Sequence, residues 1–327
     1  MSITTRAAVD TGPVSATRKA RTSHLVAFAI VGVMLIVAPF VAYPVFVMKV
    51  LCFALFALAF NLLFGFGGML SFGHAAYFGM ASYVSAYTAK HWGVGPEISI
   101  LAGVLVAATL GLFIGALAIR SKGIYLSMVT LAFAQMVFFF SLQTPSFTGG
   151  EDGIQTVPRR PLFGLIDITD DRALYVVVCA IFLAGLFVIY RTIHSPFGQV
   201  LKSIRENETR ALSLGYKVSR YKLLVFVLSA SIAGLAGATK ALVFQLASLT
   251  DVHWAMSGEV VLMAILGGIG TIFGPILGAT VIIGMQNYLA SMGAWVTVIQ
   301  GCVFVACVLV FREGILGLVA RLAKTKL

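Results

Sequence analysis

A lone histidine, His74, follows Ser71 and Gly73 and lies thirteen residues beyond Asn61, in a region otherwise free of charge. An imidazole so placed can relay a proton, meet a polar solute or close a hydrogen bond between helices. Buried amides such as Asn61 and Gln135 commonly act as interhelical glue worth about 1 kcal/mol. Two glycine clusters, Phe64-Gly65-Phe66-Gly67-Gly68 and Gly267-Gly268-Ile269-Gly270, interrupt long apolar runs. Broken backbone at membrane depth is tolerated where protein covers it or where it lines a cavity. Asn61, Gly67, Gly68, Ser71, Gly73, His74, Gly267, Gly268 and Gly270 are therefore the candidate lining of a polar path. Other glycines, at Gly111 and Gly115 or Gly274 and Gly278, have the spacing that lets helices pack closely.

Several chemistries are excluded. The chain has no Gly-Lys dipeptide, so it lacks the phosphate loop GxxxxGKS or GxxxxGKT, and it has no HExxH metal motif. Cys52, Cys179, Cys302 and Cys307 all fall in apolar runs without CxxC spacing and read as inert packing residues. No metal ligand set and no catalytic nucleophile emerges. An ion-coupled carrier ordinarily keeps a carboxylate at mid-membrane, and the apolar runs place no Asp or Glu there. Lys240 reads as snorkelling toward an interface, and Glu259 as opening a span.

The elements that hold these residues are membrane helices. Of 327 residues 60% are hydrophobic and 11% charged, with a mean hydropathy of +1.00. A soluble chain carries about a quarter charged residues. Runs of about 20 apolar residues match a bilayer core, and their lack of alternation argues against a barrel. The fold class is all-α: a polytopic helical membrane protein of about ten spans with both termini cytoplasmic. The expected spans are 24–42, 45–64, 69–89, 97–119, 124–142, 173–190, 223–246, 259–272, 274–290 and 294–311. They form a permease domain over 24–315 between an N-terminal tail, 1–23, and a C-terminal tail, 316–327. With that topology 17 of the 23 Lys and Arg residues lie inside and 5 outside, as the positive-inside rule requires. That concentration explains the formal charge of +11 without a nucleic-acid partner. Segment 143–172 becomes an external, periplasmic loop with three prolines, and 191–222 a cytoplasmic one.

Segment 191–222 carries its own helix signals. Ser195-Pro196 is a good start, and Gly215 suits a left-handed stop. Between them Phe197, Leu201, Ile204, Ala211 and Leu212 share a face, and Lys202–Glu206 and Glu206–Arg210 are i,i+4 pairs. One amphipathic helix of about 18 residues is expected, over 196–214.

SIRENETRALSLGYKVSRYKLLVFVLSASIAGLAGA (203–238), NLLFGFGGMLSFGHAAYFGMASY (61–83), TGGEDGI (148–154) and GGIGTIFGPILGA (267–279) occur in this order. Together they resemble the permeases of the branched-chain amino acid ABC importer family, the LivM-type subunit more than the LivH-type, over about 45–315. The resemblance implies that 191–222 is a coupling loop docking on an ATPase, with Arg205, Glu206, Glu208, Ala211 and Gly215 as contact residues. Aligned on Gly215, the wider Glu-Ala-Ala pattern falls on Thr209, Arg210 and Ala211, a partial fit with Glu208 adjacent. It further implies a LivH-type second permease, two cytoplasmic ATPases and a periplasmic binding protein, in the cell inner membrane. The chain itself would bind no cofactor, ATP being used by the partners. Branched-chain amino acids are the first expected solutes, with urea, short amides or aromatic acids as alternatives. A stand-alone ion-coupled transporter is the rival of another class.

Overall fold

A computed structural model describes residue 28 and residues 31–164, 167–293, 295–310, 314, 316 and 317. The expected tail 1–23, and most of 316–327, lie outside the described residues. Apolar runs too long for loops become helices: α1 Val31–Val41, α2 Pro44–Asn61, α3 His74–Tyr87, α4 Pro96–Ala118, α5 Ile124–Gln143, α6 Pro145–Thr148, α7 Asp171–Ile193, α8 Pro196–Glu206, α9 Glu208–Ser213, α10 Val218–Phe244, α11 Trp254–Gly267, α12 Gly274–Tyr288 and α13 Trp295–Val310. A π-turn, Leu62–Phe66, prolongs α2, and another, Thr88–Trp92, prolongs α3. Five of these helices are long and apolar enough to cross a bilayer: Pro44–Phe66, α4, α5, α7 and α10.

The order of burial follows from composition. A helix apolar on every side belongs in the middle of a bundle, and 83% of the residues in the most apolar stretch of Pro44–Phe66 are buried there. It packs against α7, α10, α11 and α12, while α3, α4 and α10 form a second tightly packed group. In that group a methyl at Gly111 would stand 2.4 Å from Ala230 Cβ, so helices α4 and α10 touch almost backbone to backbone. Likewise a methyl at Gly278 would meet the Met263 carbonyl oxygen of α11. The small-residue spacing read from sequence is thus used for packing. Helices α4 and α5 each bury only 28% of their apolar windows and present the remainder outward.

The structure moves several boundaries. Helix α3 begins at His74 rather than 69, since the backbone turns left-handed at Gly68 (φ +68°) ahead of it. Helix α11 begins at Trp254, five residues before the expected span, because His253 caps it by accepting a hydrogen bond from the Ala255 amide. Glu259 therefore lies inside α11 instead of opening it. The single 196–214 helix is two helices: Asn207 is extended (φ −155°, ψ 100°) and its side chain caps α9 through the Arg210 amide. Asparagine competes with the helix for its own backbone, which explains the break. Ser195 caps α8 and Gly215 ends the element at φ +84°, both as expected. Lys240 does not snorkel. It is buried in an ion pair with Asp251, 2.6 Å away.

At the end of the bundle opposite α8, loop 144–170 is pinned to the main body. Strand β1, Ile154–Gln155, pairs antiparallel with β2, Leu246–Ala247, just after α10. Arg159 adds a hydrogen bond to the Val243 carbonyl (2.7 Å) and an ion pair to Asp171 (2.8 Å).

Candidate functional site

Both glycine breaks converge beside α8. Asn61, the last residue of α2, is buried. Its Nδ2 donates to the Thr271 carbonyl (2.7 Å), and its Oδ1 accepts from the Gly270 amide (2.9 Å). The amide is therefore spent as a clasp between α2 and the loop after α11. The π-turn widens the backbone just beyond it, and such turns recur at functional sites. Any side chain at Gly65 would collide with Asn61 Oδ1 at 2.2 Å and the Gly270 amide nitrogen at 2.7 Å.

Arg205 of α8 grips this junction. Its Nη1 donates to the Gly65 carbonyl, and its Cγ would lie 2.9 Å from a Cβ at Gly68. Gly68 and Gly270 hold φ of +68° and +77°, a region open to glycine and strained for residues with a Cβ. One guanidinium thus connects an element outside the bundle to the two breaks within it.

A cavity of about 400 Å³ opens alongside, bounded by Gly67–Leu70, the α4–α5 turn and α8–α9. Glu208 crosses its rim, 3.0 Å from Lys222 of α10 and 3.3 Å from Lys122 of the α4–α5 turn. Burial pushes this carboxyl upward, but the hydrogen bonds and charges of Lys222 and Lys122 together outweigh it. They hold Glu208 below the usual carboxylate range.

The other candidates fall into separate groups. His74 is fully buried, its Nε2 2.9 Å from Ser229 Oγ. Ser229 donates its own proton to the Ala59 carbonyl at 2.6 Å, and the other ring nitrogen, Nδ1, faces the Ser71 carbonyl at 3.4 Å. Phe60 and Tyr77 pack edge-on to the imidazole. His74 thus ties α2, α3 and α10 together. Ser71 accepts from the Gly73 amide (3.2 Å), and Gly73 sits against the backbone of Thr130 in α5. Gly267 packs on the Gly274 carbonyl, and Gly268 lies against Gly314. Asn61, Gly68 and Gly270 therefore meet at one junction with Gly67 lining the cavity beside it, whereas Ser71, Gly73 and His74 make their contacts with each other, with Thr130 of α5 and with Ser229 of α10.

Of the five expected coupling residues, Arg205, Glu206 and Gly215 are exposed. Arg205 points its head group inward, Glu208 is clamped by two lysines, and Ala211 is buried against Ile204 and Val218. The outward surface instead presents Thr209, Arg210 and Ser213 around Leu212 and Leu214, which are 53% and 68% exposed. Sequence reasoning missed Gly65, Thr271, Lys122 and Lys222. Only Gly65 carried a signal, being part of the glycine cluster; the others become visible once distant segments meet.

Buried helices with two internal breaks, held by an amphipathic element beside the bundle, define a multi-pass helical membrane protein. The family model described as the permease component of branched-chain amino acid transport systems matches residues 45–308, and this chain belongs to that family, as its LivM type. It is 27% identical over 296 residues to the high-affinity branched-chain amino acid transport system permease protein LivM of Salmonella typhimurium, covering 84% of this chain and 70% of that one. The LivM protein of Escherichia coli strain K12 is 28% identical with the same coverage. The LivH permease of Salmonella typhimurium is 25% identical over 289 residues, 81% of this chain and 91% of that one. No solved structure matches the chain.

Proposed function

We propose that this chain is a permease subunit of an ATP-binding-cassette importer carrying branched-chain amino acids across the inner membrane. It crosses about ten times with both termini in the cytoplasm, so that 143–172 is periplasmic and 191–222 is the cytoplasmic coupling loop. The excess of basic residues in the inside segments supports that orientation. A LivH-type permease, two ATPases and a periplasmic binding protein complete the machine, and all ATP is used by the ATPases. The names of the LivM and LivH relatives support the solute class and the paired permeases.

One observation carries the reading. Helix α9 and its C-cap expose Leu212 and Leu214 outward while Arg205 of α8 reaches to the Gly65 carbonyl. An apolar knob ringed by polar side chains suits a groove on another protein. When ATP draws the ATPases together, α8–α9 moves as a unit, because Glu208 fastens it to α10 and to the α4–α5 turn. Arg205 then transmits the displacement to the π-turn and, through Asn61, to the 268–271 loop. The two breaks shift together and switch access to the path.

Purification in mild detergent tests this assembly. Cysteine at Leu214 should cross-link to a co-purifying ATPase, and cysteine at Phe163 should not. A cross-link-free, solitary chain would overturn the reading.

A further inference from the structure

The cavity beside α8 holds more positive charge than its own residues neutralise. Lys122, Arg205 and Lys222 line it against one carboxylate, Glu208, which leaves a surplus of two positive charges. Both lysines share that carboxylate, at 3.3 and 3.0 Å. Arg205 takes part in none of the four ion pairs among the described residues, and the Gly65 carbonyl that it reaches is neutral. Helix α5 adds to the surplus. It begins at Ile124, on the cavity wall, with no side chain capping its first amides, and a helix start carries partial positive charge. Unbalanced charge beside apolar surroundings is costly, so the cavity favours an anion.

The wall of this cavity runs out onto a lipid-facing surface. Helices α4 and α5 are both long enough to cross a bilayer, which sets the turn between them at headgroup level. Ile124 lines the cavity and is itself exposed, and Tyr125 and Met128 continue the exposed apolar face along α5. Met128 stands one turn beyond Ile124 on the same side, and tyrosine at this level is a usual interfacial anchor. The volume, about 400 Å³, is that of a small-ligand site. Three cations beside an apolar helix face match a molecule with a phosphate at one end and acyl chains at the other. An amino acid, with no net charge, would leave the surplus unmet.

We infer that this cavity binds the phosphate of an anionic glycerophospholipid whose acyl chains lie along the exposed face of α5. Lys122, Lys222 and Arg205 hold the phosphate, and the chains pass Ile124 toward Met128. Basic pockets between membrane helices bind anionic headgroups by the same chemistry. Phosphatidylethanolamine would bring an ammonium group into a cavity that is already positive, and binds less well. The headgroup bridges α8 and the α4–α5 turn, so the seating of α8–α9 on the bundle depends on the lipid. The membrane level of the site follows from the lengths of α4 and α5; its consequence for coupling rests on the importer reading.

The test titrates phosphatidylglycerol or phosphatidylethanolamine, with identical acyl chains, into the delipidated full chain in whatever assembly it purifies. Native mass spectrometry counts the bound lipid. Wild type should bind phosphatidylglycerol about fivefold more tightly, the scale of one basic residue at a membrane surface. K122Q should erase that preference, and K122R should keep it. E208Q removes the competing carboxylate and should bind phosphatidylglycerol at least as tightly as wild type. A purely structural clamp would weaken lipid binding alike in K122Q and E208Q, and that pattern overturns the site. Equal binding of the two lipids by wild type, or a K122R variant no better than K122Q, overturns it too. Displacement of phosphatidylglycerol by millimolar inorganic phosphate or leucine would make this a site for a free anion and overturn the lipid assignment. The titration needs neither ATPase nor solute, so its failure leaves the importer reading intact, and failure of that reading leaves the titration's result standing.

Discussion

In the proposed cycle Arg205 is the residue that joins α8 to the broken end of α2. Its planar fork reaches the Gly65 carbonyl while its stem lies over Gly68. A hydrogen bond from a charged donor contributes about 1.5–3 kcal/mol, enough for roughly a tenfold loss of linkage when removed. R205Q should leave ATP hydrolysis running while leucine uptake per ATP falls by about tenfold. R205K, which keeps the charge but not the fork, should recover little of it. Tight coupling in R205Q would show that force travels elsewhere. Glu208 gives a pH signature. Its carboxyl is held below the ordinary value of 4.5, so the folded state favours the charged form. The clamp's stabilisation is full above the ordinary value and fades as pH falls through the lowered one. Being partly exposed it contributes no more than about 1 kcal/mol. Melting temperature against pH in detergent should drop less steeply in E208Q than in wild type below about pH 5; parallel curves would contradict the clamp.

Among the elements, the length of unbroken apolar runs located the helices because those runs are set by the bilayer, a constraint that leaves little choice. Sequence reading also found the cap at Ser195 and the stop at Gly215, since both depend on neighbours in sequence. What it missed depended on partners far along the chain. Asn207 looked helical until its cap on Arg210 was seen, and Lys240 looked like a snorkelling residue until Asp251 folded back onto it. Glu208 and Arg205 stood out only as members of the expected docking loop, and their side chains serve contacts with Lys122, Lys222 and Gly65. The buried Lys240–Asp251 pair anchors the α10–α11 hairpin that carries β2. Removing one partner of such a pair costs about 3–5 kcal/mol, whereas replacing both with apolar residues costs far less. Thermal unfolding in detergent should therefore rank D251N below the K240M/D251L double variant. The reverse order would mean that the pair is exposed to water.

Viewed as a whole, the molecule has a central helix, Pro44–Phe66, that touches nearly every working part. One end carries the Asn61 clasp and the Arg205 grip. The sequence holds no phosphate loop of the form GxxxxGKS or GxxxxGKT, and in the proposed reading separate subunits supply the free energy. The central claim is that α8–α9 is a lever moved by separate ATPase subunits. Its most direct measurement is leucine uptake into proteoliposomes holding either this chain alone or the assembled complex with binding protein. Uptake should need the complex and internal ATP, and should be indifferent to proton and sodium gradients. Ion-driven uptake by the lone chain would contradict the account.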